Sequence, residues 1–257
     1  MEKEDTLKTY IKEETIRRIF ADVFDEPTIM ALHKTAKKGY FDVLQFVIST
    51  GKEAHVYLAT DKAGNPRAVK IYKIRTSDFK NMERYIKGDF RFKHSRRTKK
   101  DTVFTWAKKE FKNLSLAISA KASAPLPIYV SENILVMEFI GEDGLPAKTL
   151  KETRPEKKDI ESYYMQTIDF IAQVFFEKEL IHADLSEYNI LVRGEKLVFI
   201  DMGQSVLSSH PNAKEFFERD VTNMANYFSK HGLDTSFEKM LSEIRSKKSK
   251  YKKPQKG

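Results

Sequence analysis

Cysteine is absent from all 257 residues. Its absence removes disulfides, thiolate metal sites and cysteine nucleophiles together. Any divalent cation is left to carboxylates, amides and water, a donor set that favours magnesium or manganese over zinc. Long apolar runs are missing too. No stretch approaches ~18 consecutive apolar residues, and the opening MEKEDTLKTY carries charges where a secretion signal needs an apolar run. The expectation is a cytoplasmic protein with no membrane partner. Glycine-rich phosphate loops are also lacking: no G-x-G-x-x-G occurs, and Ser49-Thr50-Gly51-Lys52-Glu53 fails the Walker pattern. That motif needs Gly where Phe46 stands and Ser or Thr where Glu53 stands. There are no internal repeats.

What the chain does contain is 40% hydrophobic and 12% aromatic residues, enough for one large core or two modest lobes. Its formal net charge of +9 points to a polyanionic partner. From Lys8 to Phe24, apolar residues recur at helical spacing, and Pro27 can open a second helix that Gly39 closes, so residues 1–40 read as a helical extension. Three β-rich runs follow, joined by STGKE and DKAGNP, as an antiparallel unit. Between Lys73 and Lys100 there are eleven Lys/Arg against three acids without clean periodicity, so residues from about 75 to 100 read as a flexible basic loop. Phe79, Tyr85, Phe90 and Phe92 interleave with these charges and could stack on bases or pin the loop.

Helical spacing returns over 102–120, and ILVMEFI at 134–140 reads as a buried strand. A long helix from about Asp159 to Lys178 leads into IHADLSEYNILV, then LVFID, and two helices near 211–230 and 235–246. The fold class expected is therefore α+β and two-lobed. Residues 41–138 form a strand-rich lobe with one key helix, residues 139–246 a helical lobe, and residues 247–257 a basic tail.

The chemistry concentrates in His182-Ala-Asp-Leu-Ser-Glu-Tyr-Asn189, where an acid stands five residues before an amide, and in Asp201 beyond the next strand. Phosphoryl transfer needs this combination. Asp184 would face the attacking hydroxyl, while the Asn189 amide oxygen and the Asp201 carboxylate would hold a metal bridging the phosphates. Asn suits the site because it adds a ligand without adding charge. His182 reads as a packed support rather than an acid or base.

Lys70 lies in R-A-V-K-I-Y with its ammonium on the side of Ala68 and Tyr72, opposite Val69 and Ile71. Glu110 interrupts an apolar helical stripe of Trp106, Ala107, Leu114 and Ala117, so a buried partner is expected for it. Lys70 is the natural one. The STGKE turn could cover phosphates with its backbone amides or be an ordinary turn.

The segments STGKEAHVY, AVKIY, WAKKEFKNL, VMEFIG, IHADLSEYNIL and FIDMGQS together resemble the RIO family of atypical serine protein kinases, in its Rio-one branch. The resemblance implies ATP with Mg2+ or Mn2+ as cofactors. It makes Lys70 and Glu110 the phosphate-orienting pair, Asp184 the catalytic aspartate, and Asn189 and Asp201 the metal ligands. The backbones of Glu138 and Ile140 would hold the adenine, and Val56 and Ala68 would also bind the cofactor. Ser49, Gly51 and Lys52 would belong to the phosphate-covering loop. It further implies a kinase and ATPase cycle, through a phosphorylated Asp201, in maturation of the small ribosomal subunit. The partners implied are the precursor particle and its rRNA.

Ordinary protein kinases differ in having a glycine-rich loop, an arginine where Ala183 stands, and an activation segment after Asp201. Within the family, His55 replaces the usual Asn, and Met202-Gly203 is an uncommon pair. Two other readings stay open on the residues: a non-catalytic, ATP-gated RNA or ribosome assembly factor, and a small-molecule phosphotransferase. The last would need an acidic substrate pocket that this basic chain does not offer.

Overall fold

The structure, a computed structural model, describes residues 24–75, 78–93, 98–153 and 155–251. The helix expected over Lys8–Phe24 falls outside them except for its last residue. The second helix, α1 (Glu26–Lys37), is present and begins where expected. Asp25 caps it by accepting the Thr28 amide at 3.0 Å, Pro27 occupies its first turn, and Gly39 at φ 82° ends the segment.

Strands β1 (Val43–Thr50), β2 (Ala54–Thr60) and β3 (Pro66–Tyr72) form the antiparallel unit. Two further strands, β4 (Pro127–Ser131) and β5 (Ile134–Glu138), extend it to five in the order β1-β2-β3-β5-β4. Alternation along β3 decides what each face does. Val69 and Ile71 are wholly buried with Ala31 and Leu32 of α1 and with Ile134 and Val136 of β5. Ala68, Lys70 and Tyr72 therefore look the other way, toward a cleft.

The basic stretch after Lys73 is not the continuous loop its charge suggests. Phe79–Ile86 forms α2, capped by Asp78 accepting the Asn81 amide, and Phe90–Phe92 forms a 3-10 turn capped by Asp89. Met82 and Tyr85 are buried in the main core, and Phe92 is nearly so. The apolar residues 79, 82, 85 and 86 make a short helical stripe that packing stabilises despite the surrounding charge. Tyr85 stacks on Phe216 at 5.0 Å, and Arg84 pairs with Glu215 at 2.7 Å. Tyr85 and Phe92 thus pin the segment, and Phe90 alone of its four aromatics is largely exposed.

Helix α3 (Lys99–Ser119) starts at Thr98, whose hydroxyl accepts the Asp101 amide while donating to the Asp101 carboxylate. It carries Trp106 and Glu110 against the cleft. Short strands β6 (Gly141–Glu142) and β7 (Leu145–Pro146) and the one-turn helix α4 (Leu150–Thr153) lead into the helical lobe. That lobe is built on α5 (Lys157–Lys178), followed by β8 (Leu180–Ile181), the hairpin β9 (Ile190–Arg193) and β10 (Lys196–Phe199), β11 (Val206–Leu207), α6 (Ala213–Lys230), α7 (Phe237–Ser246) and α8 (Lys248–Tyr251). Phe199 stacks on Phe170 of α5 with centroids 3.8 Å apart and planes 6° from parallel. Such a pair adds about 0.5–1.5 kcal/mol beyond burial and pins β10 to the lobe's central helix. At the start of the basic tail, Lys247 and Lys250 both pair with Asp169 of α5.

Candidate active site

One hairpin brings Asn189 and Asp201 together. Ile190 pairs with Phe199 across β9 and β10, and the Ile200 amide donates to the Asn189 carbonyl at 3.0 Å. The residue before β9 and the residue after β10 therefore emerge side by side. Asp201 has a φ of 61°, left-handed and strained for a non-glycine residue.

Lys70 reaches this end of the hairpin from the opposite lobe. Its ammonium donates to both Glu110 oxygens at 2.9 and 2.8 Å and to Asp201 Oδ1 at 2.9 Å. Tyr72, two residues on along β3, donates its hydroxyl to Glu110 Oε2. Burial works against the charge on Lys70, but the Asp201 and Glu110 carboxylates outweigh it and hold its pKa above the ordinary lysine value. The expected Lys70–Glu110 pair is thus present, and it includes Asp201 as a third member.

Asp184 is tethered beside them. Asn189 Nδ2 donates to its backbone carbonyl at 2.8 Å and to Oδ2 at 3.2 Å, and Gln204 Nε2 donates to Oδ2 at 3.0 Å. Burial, and then the nearby Asp201 charge, push its carboxyl up to about 6. Its loop hangs from α6. Asp220 accepts the Ala183 amide at 2.7 Å and the Leu185 amide at 2.9 Å, and Arg219 donates to the Ala183 carbonyl. Ala183 is left-handed at φ 65°, so these bonds hold a conformation that alanine by itself disfavours.

His182 is buried, with Nε2 bonded to the Ile200 carbonyl at 2.9 Å and Nδ1 without a partner among the described residues. Burial pulls its pKa down to about 4. The ring is therefore neutral at physiological pH and serves as a strut, as its position in the sequence suggests. Protonation favours the unfolded chain, whose histidine titrates near 6.5. The stability that depends on neutral His182 is whole above that pH and is lost as pH falls toward 4. Wild type should lose about 3 kcal/mol more than a His182→Asn protein between pH 7.5 and 4, as read by urea denaturation. Parallel losses in the two proteins would contradict this.

A cavity of about 610 Å³ opens over this centre. Lys70, Glu110, Asn189 and Asp201 line its floor, and Ser49, Gly51 and Lys52 line the hairpin above, with Val56 and Ala68 on the sheet side. Glu138 and Ile140 lie at its inner edge. The Glu138 amide and the Ile140 carbonyl are already bonded, to the Leu126 carbonyl and the Ala147 amide. Asp184 sits just outside this lining, held by Asn189 and Gln204, which belong to it.

Two hard oxygen donors face the cavity for a divalent cation. Asn189 commits its Nδ2 to Asp184, and Asp201 commits only Oδ1 to Lys70. One amide oxygen and one carboxylate oxygen remain, both hard donors. Among the described residues no cluster of three or more His, Cys, Asp or Glu side chains is disposed to hold a metal. The site fits magnesium completed by phosphate and water, and it does not fit a self-contained cage.

Several contributors escaped the sequence reading. Glu53 lines the same cavity, its carboxyl pushed up to about 7 by burial and then by Asp201. Asp220 interrupts the stripe Phe216, Asp220, Met224 at spacings of four, the same signal that marked Glu110. Lys109 and Asn113 do the same on α3. Gln204 carried no such signal.

An antiparallel sheet above a cleft, a helical lobe below, and a lysine–glutamate pair meeting Asn189 and Asp201 with Asp184 tethered beside them define the protein-kinase-like class. A model of the RIO domain matches residues 55–240, and the chain belongs to the RIO family. It is 39% identical over 230 residues to the RIO-type serine/threonine-protein kinase Rio1 of Haloferax volcanii, covering 90% of this chain and 78% of that one. It is 38% identical over 225 residues to human serine/threonine-protein kinase RIO1, covering 87% of this chain but only 40% of the human protein. The Rio2 kinase–ADP/Mg2+–phosphoaspartate complex of Chaetomium thermophilum superposes with a TM-score of 0.66 at 25% identity, covering 88% of this chain and 66% of that one. No helix among the described residues is long and apolar enough to cross a membrane.

Proposed function

We propose that this protein is an ATP-dependent serine/threonine protein kinase and ATPase that acts in maturation of the small ribosomal subunit. The observation that carries the reading is the Lys70 ammonium bridging Glu110 and Asp201 on the floor of a nucleotide-sized cavity. The backbones of Glu138 and Ile140 take the adenine, and the turn at Ser49, Gly51 and Lys52 covers the phosphates. Asn189 and Asp201 hold the cation, which when bound neutralises charge on the phosphates. Lys70, aimed by Glu110, orients the nucleotide. Asp184 receives the proton of the attacking hydroxyl, and its raised pKa suits a base working near neutrality.

The cycle includes transfer of the γ-phosphoryl group to an Asp201 oxygen with departure of ADP, followed by attack of water on that acyl phosphate. The phosphoaspartate of the Chaetomium thermophilum Rio2 complex supports this step. The basic composition of residues 73–100 and of the tail suits a ribosomal RNA partner, which would be bound in a salt-dependent way. The position of β11 and α6 directly after Asp201 leaves no long activation segment, so control by its phosphorylation is not expected.

Phosphate release from γ-labelled ATP with magnesium tests the reading. Wild type should release phosphate, faster with precursor small-subunit particles, and Asp184→Ala should lower the rate about 10³-fold or more while still binding ATP. Tight ATP binding with no aspartate-dependent release under any condition would leave a nucleotide-gated clamp in place of an enzyme.

A further inference from the structure

Neighbours on α3, Lys109 and Glu110, serve different targets. Glu110 meets Lys70 in the cleft, whereas Lys109, fully buried, sends its ammonium to the carbonyls of Gly203, at 3.0 Å, and Ser205. One turn along, buried Asn113 donates both amide protons, to the Met202 carbonyl at 2.8 Å and the Ser205 carbonyl at 2.9 Å. Its Oδ1 accepts from Arg91 at 2.9 Å, and Arg91 is itself held by Asp89 at 2.6 Å. Among the described residues Lys109 has no carboxylate in hydrogen-bond reach, and the Trp106 ring lies 5.6 Å from its ammonium.

Burying an ammonium without a carboxylate costs several kcal/mol, roughly. Here its hydrogen bonds go to the backbone of one tight turn. That turn directly follows Asp201, whose left-handed backbone persists only where its surroundings impose it. The turn is also pressed flat on α3. A Cβ added to Gly203 would lie 3.0 Å from Trp106 Nε1 and 3.3 Å from Glu110 Oε2. Lys70 grips the Asp201 carboxylate from the front, and α3 grips the turn behind it through three carbonyls.

We propose that Lys109 and Asn113 are positioning residues for Asp201, holding its backbone in the conformation that lets the carboxylate bind the nucleotide's cation. The Asp89–Arg91–Asn113 chain ties that clamp to the segment after α2. The inference rests on the reading of Asp201 as a cation ligand.

The test is ADP binding by calorimetry, in excess magnesium and in EDTA, with thermal melting of every protein. The ratio of the two affinities measures the magnesium enhancement without turnover. Wild type should show an enhancement that Asp201→Asn removes. Lys109→Met and Asn113→Ala should each reduce it about 10–100-fold, the usual cost of losing a group that orients a ligand, with affinity in EDTA unchanged. Folded variants that melt earlier yet keep the full enhancement would overturn the proposal, since the clamp would then be structural only. If Lys109→Met does not fold, Asn113→Ala decides between these results by itself. A wild type with equal affinities in magnesium and EDTA would refute the cation site, and the inference with it.

Discussion

A Lys70→Met protein is expected to lose stability and turnover through separable causes. Removing the ammonium strands Glu110, only 1% exposed, beside Asp201 with the Tyr72 hydroxyl as its remaining donor. Deleting one partner of a buried pair costs roughly 3–5 kcal/mol, because the other charge remains buried. Burial raises the Glu110 pKa above its unfolded value, and the Asp201 charge adds to it. The folded variant therefore holds a proton that the unfolded chain releases. Its deficit grows as pH rises through the unfolded carboxylate range toward the raised folded pKa, and it shrinks on acidification.

Adding Glu110→Gln should return much of the stability by removing the stranded charge. Turnover should stay down about 10²–10³-fold in both proteins, the scale for losing one preorganised donor at a charged centre. Urea denaturation at pH 6 and 8 together with phosphate release reads both effects. A double variant as unstable as Lys70→Met would refute the stranded-charge account, and a double variant that recovered turnover would refute the catalytic one.

Asp220→Ala should be nearly as damaging although Asp220 does not line the cavity. It leaves the buried amides of Ala183 and Leu185 without acceptors, each worth about 1–3 kcal/mol. With those bonds gone, the left-handed Ala183 relaxes and Asp184 loses its aim. The expected outcome is a loss of about 3–5 kcal/mol and a fall of about 10²-fold in turnover, since small misplacements of a positioned group are costly. Asp220→Asn keeps one acceptor and should fall between the two. The denaturation midpoint and single-turnover phosphate release measure these effects. An alanine variant within 1 kcal/mol of wild type would show that the loop does not depend on α6.

Much of this site was legible residue by residue. The alternation R-A-V-K-I-Y put Lys70 on the face of Ala68 and Tyr72, and the stripe around Trp106 marked Glu110 as a buried charge in need of a partner. The spacing of Asp184, Asn189 and Asp201, with strands between, placed three polar groups at strand ends. The reading of residues 75–100 as a loop went astray because charge density hid four apolar residues in helical register, and packing on Trp106 of α3 and on Phe216 of α6 makes that register worth forming.

The local pattern in this sequence determines which way each side chain points, because strand and helix periods are properties of the backbone. It does not determine what the side chain meets there. Lys70 and Asp201 are 131 positions apart, and Asp220 lies 37 from the Ala183 amide it holds. Periodicity carries no record of distance across the fold. The sharing of Lys70 between two carboxylates, the hanging of the Asp184 loop from α6 and the clamp of Lys109 and Asn113 behind Asp201 were settled when the lobes packed. Each buried polar group then had to find its partner among whatever the packing brought within about 3 Å.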